Sequence, residues 1–463
     1  MGAPALGAAL ALSGCLMGPS YHRPKLAVPP SYRNAPATAA SPAGPAAAGG
    51  LGAESWARLF RDPVLQQLER TALKNNYDVR IAAARVLEAQ QEAGITRANE
   101  FPFVDANASA TGELNPKIAP PIQGYRARYG ALNLSLVWNL DFWGRYRRAT
   151  EAARDQWLAT RWGKRAVESS VVAQVAAAYF QLRELDDALA ISRRTLASRQ
   201  QSLHLTRVLE AHGSASELEL SQSQELVAAA AETIPDLERQ SVQEEDLLST
   251  LLGENPGPIP RGAPLAAQPN PPSVPAGLPS TLLERRPDIR EAEDQLMAAN
   301  ADVGVAQASL FPNIRLTGDG GVESDALHRL FTAAGKQWSL AAGLTQPVFA
   351  AGALRASVRL SEAQKQEMLL TYEQTVQQAF RQVSDELVAL QKDHQFRQQQ
   401  QRLTQAAERA AQLANVLYKN GGGSFLQVLV AEDDAFSAEL NLSQAELNER
   451  LAVVALYNAL GGG

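Results

Sequence analysis

The clearest signal along the chain is a seven-residue step. Val175, Leu182, Leu189, Leu196 and Leu203 recur at that interval, with Val171, Ala178 and Leu185 on the companion positions. Beyond a short turn, Leu220, Val227, Ile234 and Leu248 keep the step, interrupted only by Ser241; in the second half Leu369, Val376, Val383 and Leu390 repeat it. A sustained heptad predicts long α-helices that supercoil left-handed against partner helices. A helix from Arg145 to Glu210 would be roughly 100 Å long at 1.5 Å per residue, longer than a compact domain holds. By themselves these stripes also fit a plain coiled-coil rod.

A second pattern has period two. Val104, Ala106, Ala108 and Ala110 alternate with Asp105, Asn107, Ser109 and Thr111. Leu132, Leu134, Leu136 and Trp138 alternate with Asn133 and Ser135 and, less cleanly, with Ala131 and Val137. Ile314 and Leu316 alternate with Arg315 and Thr317, and Trp338, Leu340, Ala342 and Leu344 with small or polar residues. Four strands are predicted, each about the nine to eleven residues that cross a bilayer when tilted, apolar outward and polar inward. A half-buried strand of a soluble sheet would alternate in the same way. If the strands are membranous, their sheet must close, because unpaired edges are not tolerated in hydrocarbon. Four strands cannot close. Two chains would give a filled eight-strand barrel and three a wider twelve-strand one, so a conduit needs at least a trimer.

The two patterns occur twice. At an offset of about 210 residues, Asp78, Arg80, Ala82, Ala89, Gly94, Ala98, Phe101 and Pro102 meet identical partners, from Asp288 to Pro312. At about 208, Val208, Leu209, Gly213, Ser216, Leu218, Leu252 and Gly253 meet Val416, Leu417, Gly421, Ser424, Leu426, Leu460 and Gly461. Internal repeats of this kind set the whole fold. The expectation is a tandem duplication in which each copy reads helix, strand, loop, strand, very long helix, turn, long helix. The expected division is a signal peptide at 1–14, an N-terminal extended segment at 15–60, repeats at 61–253 and 281–463, and a Pro-rich linker at 254–280. An Ala/Pro/Gly stretch at 35–52 lies within the extended segment.

Composition narrows the class. The chain has 463 residues, 45% hydrophobic and 20% charged, with net charge -6, which fits a folded protein without the basic footprint of a nucleic-acid binder. No apolar run approaches eighteen residues, so no transmembrane helix is predicted and any crossing must use strands. The five histidines are far apart, and there is no P-loop, dinucleotide fingerprint or G-x-S-x-G elbow. Neither an enzyme nor a cofactor- or metal-dependent protein is expected.

The one cysteine, Cys15, follows a short apolar run ending Leu12-Ser13-Gly14. It excludes an intrachain disulfide, and its context reads as a secretory signal ending in a small-residue cleavage site, though without a basic n-region. The L-S-G-C tetrad resembles a bacterial lipobox, which implies covalent acylation of Cys15. Leu16 rather than Asp at the next position implies the outer membrane.

Further along, G-P-S-Y-H-R-P (Gly18 to Pro24), Trp56 with F-R-D-P (Phe60 to Pro63), N-Y-D-V-R (Asn76 to Arg80) and L-D-F-W-G-R (Leu140 to Arg145) stand in order. They are followed by R-R-P-D-I-R-E-A-E (Arg285 to Glu293), F-P-N-I (Phe311 to Ile314) and a terminal A-L-G-G-G. Together these resemble the TolC-like outer membrane factor family, in its NodT/OprM branch of efflux lipoproteins. The resemblance implies a mostly α, α+β membrane protein: a trimeric twelve-strand outer-membrane β-barrel, four strands per chain, continuous with a periplasmic α-helical barrel. An irregular belt around the helices would come from the N-terminal segment, the linker and the C-terminus. It implies a passive exit for drugs or small molecules, partnered by a periplasmic adaptor and an inner-membrane pump of the resistance-nodulation-division class. A type I protein-secretion or metal-ion exit shares the fold, and a structural coiled-coil lipoprotein of the periplasm is the alternative from another class.

The same resemblance places the periplasmic tip and adaptor-docking residues at the helix turns, with Gly213, Ser216 and Leu218 on one and Gly421, Ser424 and Leu426 on the other. It implies a closed aperture held by Tyr418 bonded to Glu219. The family's arginine two residues after the turn glycine is here Gly423, and its constricting acids fall on Gln427 and Val430. Glu432, Asp433 and Asp434 are the candidates for a displaced acidic ring, although three such acids more often form just a solvated helix face.

Overall fold

In a computed structural model the chain is described over residues 16–33, 60–116, 125–268 and 279–462. Cys15, Trp56, the stretch 35–52 and residues 269–278 of the linker lie outside these. The elements are α1 (Pro63–Asn75), α2 (Tyr77–Ala98), β1 (Phe103–Asn115), β2 (Tyr125–Leu140), α3 (Arg145–Ala211) and α4 (Glu217–Leu251). Then follow α5 (Pro279–Arg285), α6 (Pro287–Ala308), β3 (Asn313–Ser324), β4 (Lys336–Thr345), α7 (Ala353–Lys419) and α8 (Phe425–Ala459). The heptads therefore become real helices: α3 and α7 have 67 residues each, α4 and α8 have 35 each.

The single helix expected ahead of each strand pair is two helices. Asn76 ends α1, and its Oδ1 accepts the N–H groups of Asp78 at 2.8 Å and Val79 at 3.3 Å, which restarts the chain as α2. In the second half the break falls at Arg286. Its successor Pro287 disfavours helical geometry in the residue before it and is itself suited to a helix start.

The chain divides into two compact units, each drawing on both halves of the sequence: Met1–Lys25, Arg85–Arg161 and Glu291–Glu373 in one, Leu26–Ala84, Trp162–Arg290 and Gln374–Gly463 in the other. The first holds an antiparallel sheet of order β1-β2-β3-β4. Its register pairs Val104 with Leu136, Leu134 with Gly320, Trp138 with Leu316 and Gly318 with Leu340. Because side chains alternate across a strand, this register gathers Val104, Leu132, Leu134, Leu136, Trp138, Ile314, Leu316, Leu340 and Leu344 on one face. Asp105, Asn107, Asn133, Ser135, Arg315 and Asp319 share the other, where Asn107 Nδ2 donates to Ser135 Oγ at 3.0 Å. The apolar face is open, with Trp338 82% and Leu340 73% exposed.

In the same unit a strap of residues 16–24 lies on the helices. Arg148 donates to the carbonyls of Met17 at 2.9 Å and Gly18 at 3.3 Å, Arg23 pairs with Glu293 at 2.8 Å, and Asn300 donates to Pro19 O at 2.9 Å. Met17 N–H reaches Trp143 O at 3.1 Å, three residues beyond β2.

The second unit has the packed core. Val175, Ala176, Tyr179, Phe180 and Leu182 on α3 are fully buried, as are Leu248, Val453, Leu456 and Tyr457; each large side chain so buried contributes about 1.5–3 kcal/mol. The described linker residues are held by charge: Arg261 pairs with Asp186 at 3.2 Å and with Glu245, and Arg450 donates to Gln268 O at 3.0 Å. Equivalent contacts recur in the two halves. Asn76 Nδ2 donates to Leu251 O and Arg286 Nη1 to Ala459 O, both at 2.9 Å, closing the ends of α4 and α8.

Candidate functional site

The two helix reversals are built alike. Gly213 and Gly421 take φ of 71° and 74°, the left-handed conformation that only glycine adopts freely. The following N–H groups, of Ser214 and Gly422, return to Leu209 O at 2.8 Å and Leu417 O at 2.9 Å, which satisfies the carbonyl ends of α3 and α7. Ser216 and Ser424 then cap α4 and α8 through reciprocal capping boxes with Glu219 and Gln427. Leu218 and Leu426, the second residues of the new helices, are exposed apolar side chains at matching places. The sequence-predicted tip residues are thus brought together as two copies of one turn.

Glu219 bonds locally. Its Oε2 accepts Ser216 N–H at 2.7 Å and Ser216 Oγ–H at 3.2 Å. Tyr418 is half-buried against Phe425, with ring centroids 5.3 Å apart. Burial first, and the negative charge of Glu219 second, raise its phenol above the ordinary value. The two expected gate partners therefore feel each other across the hairpins, while the carboxylate's hydrogen bonds go to its own helix cap.

The acidic trio separates by direction. Glu432 accepts Asn415 Nδ2–H at 2.8 Å, tying α8 to α7. Asp433 pairs with Arg199 of α3 at 3.2 Å. Asp434 is exposed and borders an open groove shared with Gln427, Val430, Leu403 and Ala407. Of the three, Asp434 alone stands on the face carrying the two positions where the resemblance put acids.

Sequence reading missed Arg199, which is 2% exposed. The signal was present: the companion stripe Val171, Ala178, Leu185 continues by sevens to Ser192, Arg199 and Thr206, all three buried. The stripe turns from apolar to polar toward the tip. Beside Arg199 a cavity of about 30 Å³ is bordered by Ser202, Thr206, Ser223, Asn415 and Tyr418, room for one or two waters.

Comparison with known proteins gives a consistent result. The model of the family described as outer membrane efflux protein matches twice, over residues 68–254 and 278–462. The probable efflux pump outer membrane protein TtgC of Pseudomonas putida is 35% identical over 458 residues, covering 98% of this chain and 94% of that protein. The cation efflux system protein CusC of Escherichia coli K12 is 32% identical over 458 residues, covering 98% of each. Among solved structures, the open state of the Neisseria gonorrhoeae MtrE outer membrane channel superposes with a TM-score of 0.86 at 30% identity, over 97% of this chain and 98% of that one. Family matches covering both halves and relatives aligned along nearly the whole length lead to one conclusion: this chain belongs to the outer membrane efflux protein family.

Proposed function

We propose that the chain is the outer-membrane exit duct of a tripartite efflux system, a passive conduit for drugs or small molecules. The observation that carries this reading is the sheet: its leucines, Ile314 and Trp338 gather on one open face, with Phe103 and Val137 the main apolar residues on the other, while β1 and β4 end the sheet with unpaired edges. Water does not sustain an apolar patch of that extent on a soluble monomer. Hydrocarbon does, provided the edges are closed. A ten-residue strand tilted at about 40° spans roughly 25 Å, the height of an outer-membrane apolar band.

Closure comes from other copies. Three chains give twelve strands and an interior wide enough for solute, lined by the polar face of Asp105, Asn107, Asn133, Ser135 and Arg315. The long helices α3, α4, α7 and α8 of the three copies form the periplasmic wall, and their turns, with Leu218 and Leu426 outermost, receive a periplasmic adaptor joined to an inner-membrane pump of the resistance-nodulation-division class. The matched element lengths of the two halves, and the paired contacts of Asn76 and Arg286, support a tandem duplication that supplies two strands and one long hairpin per repeat.

An acyl group on Cys15 anchors the chain. The support is the strap: Met17 is bonded next to the end of β2, and two residues of chain reach at most about 7 Å. The lipid then enters the periplasmic leaflet beside the sheet.

The test is reconstitution. Purified protein added to planar lipid bilayers is expected to give discrete ion-conducting steps. Bilayers that stay silent, with protein demonstrably inserted, would contradict the duct.

A further inference from the structure

The two helical hairpins, α3/α4 and α7/α8, are joined near their turns by few polar contacts. Arg194 on α3 meets Glu439 on α8 at the surface. Nearer the turns, Arg199 does three things at once. Its Nη1 donates to Leu226 O on α4 at 3.0 Å, its Nη2 pairs with Asp433 on α8 at 3.2 Å, and its guanidinium lies 5.1 Å from the Phe436 ring centroid. Among the described residues it is the inter-hairpin ion pair closest to the turns. Its Nε finds no acceptor.

The contact falls where the companion stripe of α3 changes character. Over the first part of α3 the companion stripe is apolar and holds by packing; from Ser192 onward it is polar. A polar residue at such a position lowers packing strength and fixes register. Gly423, at the turn, has no side chain to reach across. Apolar side chains still pack here, with Leu203 on α3 and Phe425, Val428 and Leu429 on α8 buried, and beside them the polar link between the hairpins is a buried cation whose partner carboxylate, Asp433, is 59% exposed.

We propose that Arg199 is the pin that keeps the two hairpins together behind the tip, and that its release from Asp433 and Phe436 is a step the duct takes when it widens. Arg199 is a positioning residue here, and the proposal rests on the duct reading above. Because guanidinium is a planar fork that stays charged and stacks on aromatic faces, lysine replaces it only in part. Asp433 lies on the solvent side, so an adaptor residue that competes for its carboxylate would loosen the pin without entering the core.

The experiment compares single-channel conductance of the full-length wild-type protein, Arg199→Met, Arg199→Lys, Asp433→Asn and the Arg199→Met/Asp433→Asn double variant, alongside the thermal stability of each assembled protein. Arg199→Met is expected to raise conductance at least twofold, Asp433→Asn to raise it by less, and Arg199→Lys to fall between wild type and Arg199→Met. The double variant should not exceed Arg199→Met, since one contact can be lost only once. If Arg199→Met assembles poorly, the exposed Asp433→Asn carries the test alone. Unchanged conductance in the assembled variants, or effects of the two single substitutions that multiply, would overturn the pin while leaving a conducting wild type as a duct. A wild type that does not conduct would instead remove the reading on which the pin rests.

Discussion

The Tyr179 hydroxyl donates to Asp62 Oδ2 at 2.7 Å, joining the middle of α3 to the residue that caps α1. Asp62 Oδ1 also accepts Val64 N–H at 2.8 Å, and Gln268 Nε2 of the linker donates to Oδ2 at 3.0 Å. One buried carboxylate thus gathers an entry helix, a long helix and the linker. Asp62→Ala removes a helix cap, worth about 1 kcal/mol, and leaves the buried Tyr179 hydroxyl without its acceptor, about 1–3 kcal/mol more. Denaturant unfolding followed by the helical signal should show a loss of about 2–4 kcal/mol. Tyr179→Phe should lose less.

The two faces of the sheet should answer differently to charge. Leu340→Arg places a cation in mid-strand on the apolar face and is expected to destabilise the inserted protein by about 2–4 kcal/mol. Asn133→Lys, on the polar face, should insert with little loss and alter ion selectivity. Equilibrium unfolding from lipid vesicles reads the first effect, and reversal potentials in asymmetric salt read the second. Equal loss from both would refute the assignment of the faces.

Glu69 sits on the buried face of α1, 5% exposed, with Oε1 lacking a partner. Burial, partly offset by Arg70, raises its carboxyl to about 7. The folded state therefore holds this proton more tightly than the unfolded chain. Its contribution to stability is complete below about pH 4.5 and is lost as pH rises through about 7, by at most roughly 3 kcal/mol. Glu69→Gln should flatten the stability profile over that window and make the protein more stable than wild type at pH 8. A slope retained in the variant would assign the titration elsewhere.

At the tip, Tyr418→Phe combined with Glu219→Gln should raise single-channel conductance. The second change isolates charge from capping, because glutamine completes the same box at Ser424 with Gln427. Unaltered conductance would remove Tyr418 and Glu219 from the gate and leave the fold as described.

Mass spectrometry of the mature N-terminus should find acyl chains on Cys15, and Cys15→Ser should lack them while keeping the strap contacts of Arg148. An unmodified cysteine in the wild type would end the lipid-anchor reading.

Much of this was legible because it is periodic. Val175 and Leu182 announce α3, Val376 and Val383 announce α7, and the alternation around Leu134 and Leu340 announces the strands. Glycine and serine at fixed places, Gly213 with Ser216 and Gly421 with Ser424, announce the reversals. Contacts between distant segments were not legible. Nothing near Asn76 in the sequence shows that its side chain both starts α2 and closes α4. Arg199 reads as one more surface arginine until the seven-residue step is carried past Leu185, and its hold on Asp433 and Phe436 depends on how α8 lies beside α3. The acidic trio looked like one group; helix geometry turns its members toward Asn415, Arg199 and solvent.

In the proposed duct, one chain supplies a third of a closed tube. Native mass spectrometry of the protein released intact from detergent micelles counts the copies directly. A single assembly of three chains is expected; a monomer or a dimer as the stable species would rule out the shared tube.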